Sequence, residues 1–244
     1  MRNLFILFCL CLTGTAACQI TDPKATEFYE PVPPKVKPGA TLGDPPADAI
    51  VLLGEGADLS EWKSAKSDGN AEWTKEGNAI VVKPGSGDIM TRRKFGDMQL
   101  HVEWRSPSEP DKEGQGRGNS GIFLQNRYEV QVLESEGSDT YTNGQAGSIY
   151  KQSPPLVNAL KPQGEWQSYD IIYDAPEFNK DGMLIRPGYV TVLMNGVVVQ
   201  NHTEIKGTTE YIGLPRNIAH GDDVIKLQDH GNLVAYRNIW VREL

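Results

Sequence analysis

Gly118–Glu134 reads GNSGIFLQNRYEVQVLE, two strand-like runs separated by the polar knot Gln125-Asn126-Arg127. In the second run Tyr128, Val130 and Val132 fall on one face, with Glu129, Gln131 and Leu133 on the other, because successive side chains of a strand alternate in direction. One face is therefore apolar, and the other sets an acid beside an amide. Two readings share this pattern: an ordinary amphipathic strand with a wet face, or a strand flooring a polar groove. Wet strand faces mostly mix Lys, Thr and Ser, so the Glu and Gln pair singles this strand out.

The neighbouring sequence supplies strands to lie beside it. Gln99–Ser106 alternates strictly, with Leu100, Val102 and Trp104 on one face and His101, Glu103 and Arg105 on the other. Glu103 and Arg105 form either a surface ion pair or, set beside Glu129 and Gln131, a second wall of one groove. Glu109–Arg117 is a glycine-rich polar loop, and Asn119-Ser120-Gly121 turns the chain into the central strand. Beyond Glu134, the loop Ser135–Gly147 leads to Ser148-Ile149-Tyr150-Lys151. Long loops in compact domains are often functional rims or lids.

Glu165–Tyr173 reads as a further strand, and Tyr189–Gln200 as a hairpin about Asn195-Gly196, the preferred two-residue turn. Gly207–Lys226 is a loop of weak apolar content. Ile225–Asp229, the turn His230-Gly231-Asn232 and Val234–Val241 close the chain. Upstream lie Ala49–Gly54, a short turn at Asp58–Trp62, a hairpin around Glu76-Gly77-Asn78, and Gly87–Thr91. No segment holds helical periodicity, and no repeat period is visible. About ten to fourteen strands follow from this reading. With no helices to cover a parallel sheet, they predict an all-β fold, an antiparallel two-sheet β-sandwich.

The chain has 244 residues, 39% hydrophobic and 23% charged, with 25 Gly, 16 Pro and a net charge of −8. That is room for one sizeable β domain. A cationic stripe is missing, which excludes nucleic acid as a partner. Arg2, the apolar run Leu4–Leu12 and the small residues Thr13–Ala17 read as a signal peptide over residues 1–17. Cleavage before Cys18 would make it the lipidated N-terminus of a bacterial lipoprotein, although Thr15 stands where the ideal pattern has Leu. A plain exported protein cut after Ala16 or Ala17 is the alternative. Cys9 and Cys11 lie in the removed segment, so Cys18 is the lone mature thiol, and lipidation would account for it. The expected location is the periplasm, the outer membrane or the cell surface, with membrane contact only through the anchor. Pro23, Pro31, Pro33, Pro34, Pro38, Pro45 and Pro46 make residues 18–48 a tether, leaving residues 49–244 as the domain.

Several kinds of chemistry lack their motifs: there is no nucleophile elbow, phosphate loop or dinucleotide fingerprint. His101, His202, His220 and His230 have no zinc spacing, and no metal site or cofactor is predicted. Loop aspartates and carbonyls leave room for a calcium ion, but none has the spacing of a dedicated loop. What remains is carboxylates, amides, one arginine and one histidine on strands and strand ends. His230 either overhangs the groove or, with Asp229, merely shapes its turn. Trp104, Trp166 and Trp240 read as core; Trp62 and Trp73, in less regular segments, are the better candidates for exposed stacking surfaces, with core still the default for both.

Taken in order, Asp58–Trp62 (DLSEW), Gly96–Arg105 (GDMQLHVEWR), Asn119–Leu124 (NSGIFL), Tyr128–Leu133 (YEVQVL), Gly164–Asp170 (GEWQSYD), Asn195-Gly196, Leu227–Asn232 (LQDHGN) and Arg237–Trp240 (RNIW) resemble the 3-keto-disaccharide hydrolase family. The resemblance spans about Ala49 to Leu244. It departs from the family at Glu109–Arg117, Pro176–Pro187 and Leu214–Asp223. It implies a concanavalin A-like, jelly-roll sandwich and a carbohydrate substrate oxidised at C3, whose ketone acidifies the C2 proton. A base would remove that proton, the C1 substituent would leave, and water would add. On this sequence the base would be Glu129, Glu103 or His230, with Arg105 stabilising the enolate or orienting Glu103. Asn119, Gln131 and Gln228 would bind ring hydroxyls, with Tyr150 and Lys151 reaching in from the long loop. A non-catalytic carbohydrate-binding module and a two-carboxylate glycosidase using Glu103 and Glu129 are the alternatives.

Overall fold

The computed structural model describes residues 20–108, 111–137 and 139–244. The expected signal peptide and Cys18 lie outside the described residues. The chain divides into two units at Lys35/Val36. Within residues 20–35 a single 3-10 turn, Pro23–Thr26, is capped by the Asp22 carboxylate, which accepts from the Lys24 N–H at 3.0 Å. None of its residues is buried, as expected of a proline-rich segment that cannot build a core.

The unit Val36–Leu244 contains fifteen strands among its described residues. They are β1 (Ile50–Leu53), β2 (Trp62–Ser64), β3 (Thr74–Glu76), β4 (Ala79–Val81), β5 (Ile89–Thr91), β6 (Met98–Arg105), β7 (Ser120–Leu124) and β8 (Tyr128–Val132). There follow β9 (Gln167–Asp174), β10 (Glu177–Phe178), β11 (Leu184–Arg186), β12 (Gly188–Met194), β13 (Val197–Ile205), β14 (Lys226–Leu227) and β15 (Ala235–Glu243). The large sheet runs β13-β12-β9-β6-β15-β4-β3, with β1 also on β15, and the small sheet runs β2-β5-β14-β7-β8. Pairing is antiparallel throughout, so the fold is the concanavalin-like sandwich the sequence led us to expect. The strand count exceeds expectation because β10 and β11 form a small ribbon inside residues 176–187, which read as loop.

Alternation builds the core. Met98, Leu100, Val102 and Trp104 of β6 and Tyr128, Val130 and Val132 of β8 face one another across the sandwich, all buried. Each such side chain contributes roughly 1.5–3 kcal/mol by leaving water. Trp62 and Trp73, the better candidates for exposed stacking surfaces, are core residues, as the default for a tryptophan had it. Their indole N–H groups donate to Leu52 O at 2.8 Å and Gly87 O at 3.0 Å, which removes the penalty of burying them. Trp166, expected in the core, is half-buried on the outer side of the large sheet.

Three tyrosines of the large sheet reach across the core to the β7–β8 hairpin that carries the site. Tyr169 donates to Gln131 O at 2.8 Å, Tyr173 to Gln125 Oε1 at 2.7 Å, and Tyr236 to Ser120 Oγ at 2.7 Å. The free edge of β8 is covered by residues 147–150. Gly147 N–H donates to Gln131 O, Gln131 N–H to Ser148 O and Tyr150 N–H to Glu129 O, at 3.0–3.1 Å. Part of the expected tether is not one. Residues 36–48 lie on the large sheet, where Gly43 O accepts from Asn238 Nδ2 at 2.8 Å and Trp240 Nε1 at 2.9 Å. Two donors on β15 thus find their acceptor in that segment, and its proline-rich composition concealed the fit.

Candidate active site

The small sheet builds the site from one row of side chains. Glu129 on β8 pairs with Phe123 on β7, which pairs with Lys226 on β14. Val130, Ile122 and Leu227 belong to the core, so this row points outward. Gly121 on β7 makes the acid possible. A Cβ there would lie 2.4 Å from Glu129 Oε1, so the carboxylate occupies space that any other residue would fill. Loops raise walls around the row to enclose a cavity of about 490 Å³.

Amides form the floor. Gln131 Nε2 donates to Asn119 Oδ1 and Gln115 Oε1, each at 3.3 Å, and Asn119 Nδ2 donates to Gln115 O at 2.8 Å. Gln115 is itself held by donating to Thr140 Oγ1 and Gly144 O at 2.9 Å. Gln131 Oε1 and Gln228 Oε1 are buried without partners. Two orphaned acceptors on the lining of one cavity are sites for a ligand's hydroxyl groups, since a buried acceptor left unpaired is costly.

Glu129 is 4% exposed, and among the described residues no hydrogen bond reaches its carboxylate. Burial pushes its acid up to about 8; Lys226 opposes the shift and Asp88 adds to it. A carboxyl group poised there is protonated at rest yet strong as a base once ionised. Beside β8, Tyr150 and Tyr141 share a hydrogen bond between hydroxyls at 2.7 Å. Burial, then that bond, raises the Tyr150 phenol far above its ordinary range. Lys151 sits next to them in the left-handed region at φ 58°. Its ammonium donates to Tyr211 O at 2.5 Å and stands 4.3 Å from the Tyr211 ring and 5.7 Å from those of Tyr141 and Tyr150. Among the described residues it is the one lysine or arginine lining the cavity.

The structure therefore gathers Glu129, Gln131, Asn119, Gln228, Tyr150, Lys151 and His230 around one cavity. It does not bring Glu103 or Arg105 there. Both lie on the outer face of the large sheet, with the core between them and Glu129. The alternation of β6 was read correctly, but β6 pairs with β9 and β15 rather than with β8. Glu103 instead accepts from Arg237 Nε at 2.6 Å and Asn238 Nδ2 at 2.9 Å, while Arg105 reaches Glu76 at 3.0 Å and lies over Trp166. Gln115, Phe123, Tyr141, Thr209 and Tyr211 also line the cavity and were missed. Phe123 alternates with Gly121 on β7 and was legible; the others sit in loops without a periodic signal. Among the described residues no cluster of His, Cys, Asp or Glu side chains is arranged to hold a metal ion.

Comparison with known proteins now bears on this geometry. The profile of the 3-keto-alpha-glucoside-1,2-lyase-like domain matches residues 48–242. A 3-keto-disaccharide hydrolase of Bacteroides thetaiotaomicron is 25% identical, over 81% of this chain and 79% of its own. A candidate glycosyl hydrolase of known crystal structure from Parabacteroides distasonis is 53% identical, with a TM-score of 0.87 over 91% of this chain and 97% of that one. A second from the same organism shares the fold at 22% identity and a TM-score of 0.57, over 81% and 94%. At family level these place the chain among glycoside-hydrolase-like enzymes.

Proposed function

Because this chain belongs to the family of 3-keto-alpha-glucoside-1,2-lyase-like domains, we propose that it cleaves 3-keto-glycosides by elimination and rehydration at Glu129. The observation that carries this reading is that, among the described residues, Glu129 is the one carboxyl group lining the cavity. Ordinary glycosidases flank the anomeric carbon with two carboxyl groups, and Glu103, the other acid considered, faces away on the large sheet. A single buried base suits a substrate whose C–H bond is already acidified by a ketone.

Glu129 takes the C2 hydrogen as a proton, and the electron pair delocalises onto the C3 oxygen as an enolate. The pair then returns to form the C1–C2 double bond, the C1–O bond breaks, and the leaving oxygen takes up a proton. Water adds at C1 and a proton returns to C2, so the sum is hydrolysis. Lys151, as the cation of the cavity, stabilises the enolate in the role first considered for Arg105. Gln131 and Gln228 accept from ring hydroxyls through their open oxygens. His230, exposed at the margin, is available for proton exchange with solvent.

Incubation with a 3-keto-disaccharide and its unoxidised parent in deuterated water tests the reading. Cleavage of the keto sugar alone, with deuterium at C2, is expected. Cleavage of the parent would instead indicate direct glycoside hydrolysis, and binding without turnover would indicate a carbohydrate-binding module. We also propose that the enzyme is exported and anchored by a lipid on Cys18. Cys18→Ser should then move the protein from the membrane to the soluble fraction.

A further inference from the structure

The cavity changes character from floor to mouth. Exposure rises along its lining from Glu129 at 4% and Tyr150 at 9% to Tyr141 at 40% and Tyr211 at 73%. Tyr211 opens a loop tip whose next large side chains, Ile212 and Leu214, are 82% and 84% exposed. This tip stands on a fastened neck. Thr208 donates to Arg216 O through its N–H at 3.0 Å and its hydroxyl at 3.2 Å. Thr209 donates to Arg127 O at 2.9 Å, and its hydroxyl accepts from the N–H of Glu129 itself, also at 2.9 Å. Lys151, inside the cavity, holds the Tyr211 carbonyl. A loop closed on itself at Thr208 and Arg216 and tied by three further bonds to Arg127, Glu129 and Lys151, yet presenting apolar side chains to water, has a surface that awaits cover.

We propose that the tip Tyr211–Leu214 binds the leaving group of the substrate, and that the preferred leaving group is an apolar, aromatic aglycone rather than a second sugar. The inference rests on the reading of the cavity as the place where 3-keto-glycosides are cleaved. Hydroxyl-matching acceptors lie at the floor, so the oxidised ring binds there and its C1 substituent extends towards the mouth. There Tyr211 lines the cavity, and Ile212 and Leu214 follow it in sequence on the exposed tip. A sugar would leave Ile212 and Leu214 wet, whereas an aryl group covers them and stacks on Tyr211.

The test compares wild type with the double variant Ile212→Ser/Leu214→Ser on a 3-keto-glucoside bearing a naphthyl aglycone and on a 3-keto-disaccharide. Neither substituted residue touches the floor, and an unchanged melting temperature will verify the fold. For the naphthyl substrate, kcat/KM should fall about tenfold or more, mainly through KM, with little change for the disaccharide. Equal loss on both substrates, or no loss on either, overturns the proposal. Titration with free naphthol separates this inference from the reading of the reaction. If wild type cleaves neither keto substrate, the reaction is misread, and the loop proposal then stands or falls on weaker naphthol binding by the variant.

Discussion

At the scale of single residues, the chemistry rests on one proton at Glu129. Glu129→Gln should lower kcat/KM by about 10² to 10⁴, the usual worth of a positioned base. The wild-type rate should climb with pH and level off above about 8, where burial has placed the acid. Stability runs the other way. The folded-state value is raised above the ordinary 4.5, so the folded protein keeps a proton that the unfolded chain gives up. That advantage is complete below pH 4.5 and is lost as pH rises through 8, a change on the order of 5 kcal/mol. Denaturant unfolding at pH 5 and pH 9 should therefore show Glu129→Gln gaining on wild type at the higher pH. Gly121→Ala should displace the same carboxylate, because its Cβ would fall 2.4 Å from Oε1. Its kcat should drop severalfold or more, with the pH inflection moved from the wild-type position.

Strands and loops contribute differently. Gly207 sits at φ 136°, and a Cβ there would lie 2.6 Å from the Arg216 carbonyl carbon. Gly207→Ala should pry open the neck of the loop, costing about 1–3 kcal/mol in a thermal unfolding measurement. Because Thr209 of that neck bonds the Glu129 backbone, activity on every substrate should fall with it. The strands were largely legible. The β8 face was readable from its own five residues, since the period of two is a local property. Which strand lies beside it is not local, and for that reason Glu103 and Arg105 were assigned to the wrong side of the sandwich. Loop residues such as Tyr141 and Tyr211 carry no period, so only the folded chain reveals that they surround Lys151.

Over the whole molecule, the two outer faces do different work. Burial opposes protonation of His101, but Asp170 at 2.7 Å and Glu103 at 3.7 Å outweigh it and lift the ring up to about 9. Glu103, penalised by burial, is held near 2 by His101, Asn238 and Arg237. The histidine's contribution is complete below pH 6.5 and is lost as pH rises through 9. That of the glutamate is complete above 4.5 and lost as pH falls through 2. Glu103→Gln should thus lower the melting temperature near pH 6 while leaving kcat/KM on keto sugars within about twofold, since the effect of a remote site does not reach the cavity. Composition disclosed the sandwich, and motif order disclosed its kind. The strap over residues 36–48 stayed hidden, because a proline-rich segment reads alike whether docked or free. The cover along the edge of β8 has a wider consequence. The same backbone bonds that bring Tyr150 to the cavity also close the end of the small sheet. Were residues 147–150 to peel away, the chain would present a bare ladder of amides to its neighbours. Variants that loosen this strip should reveal themselves in concentrated solution by self-association, as clouding or a growing hydrodynamic radius.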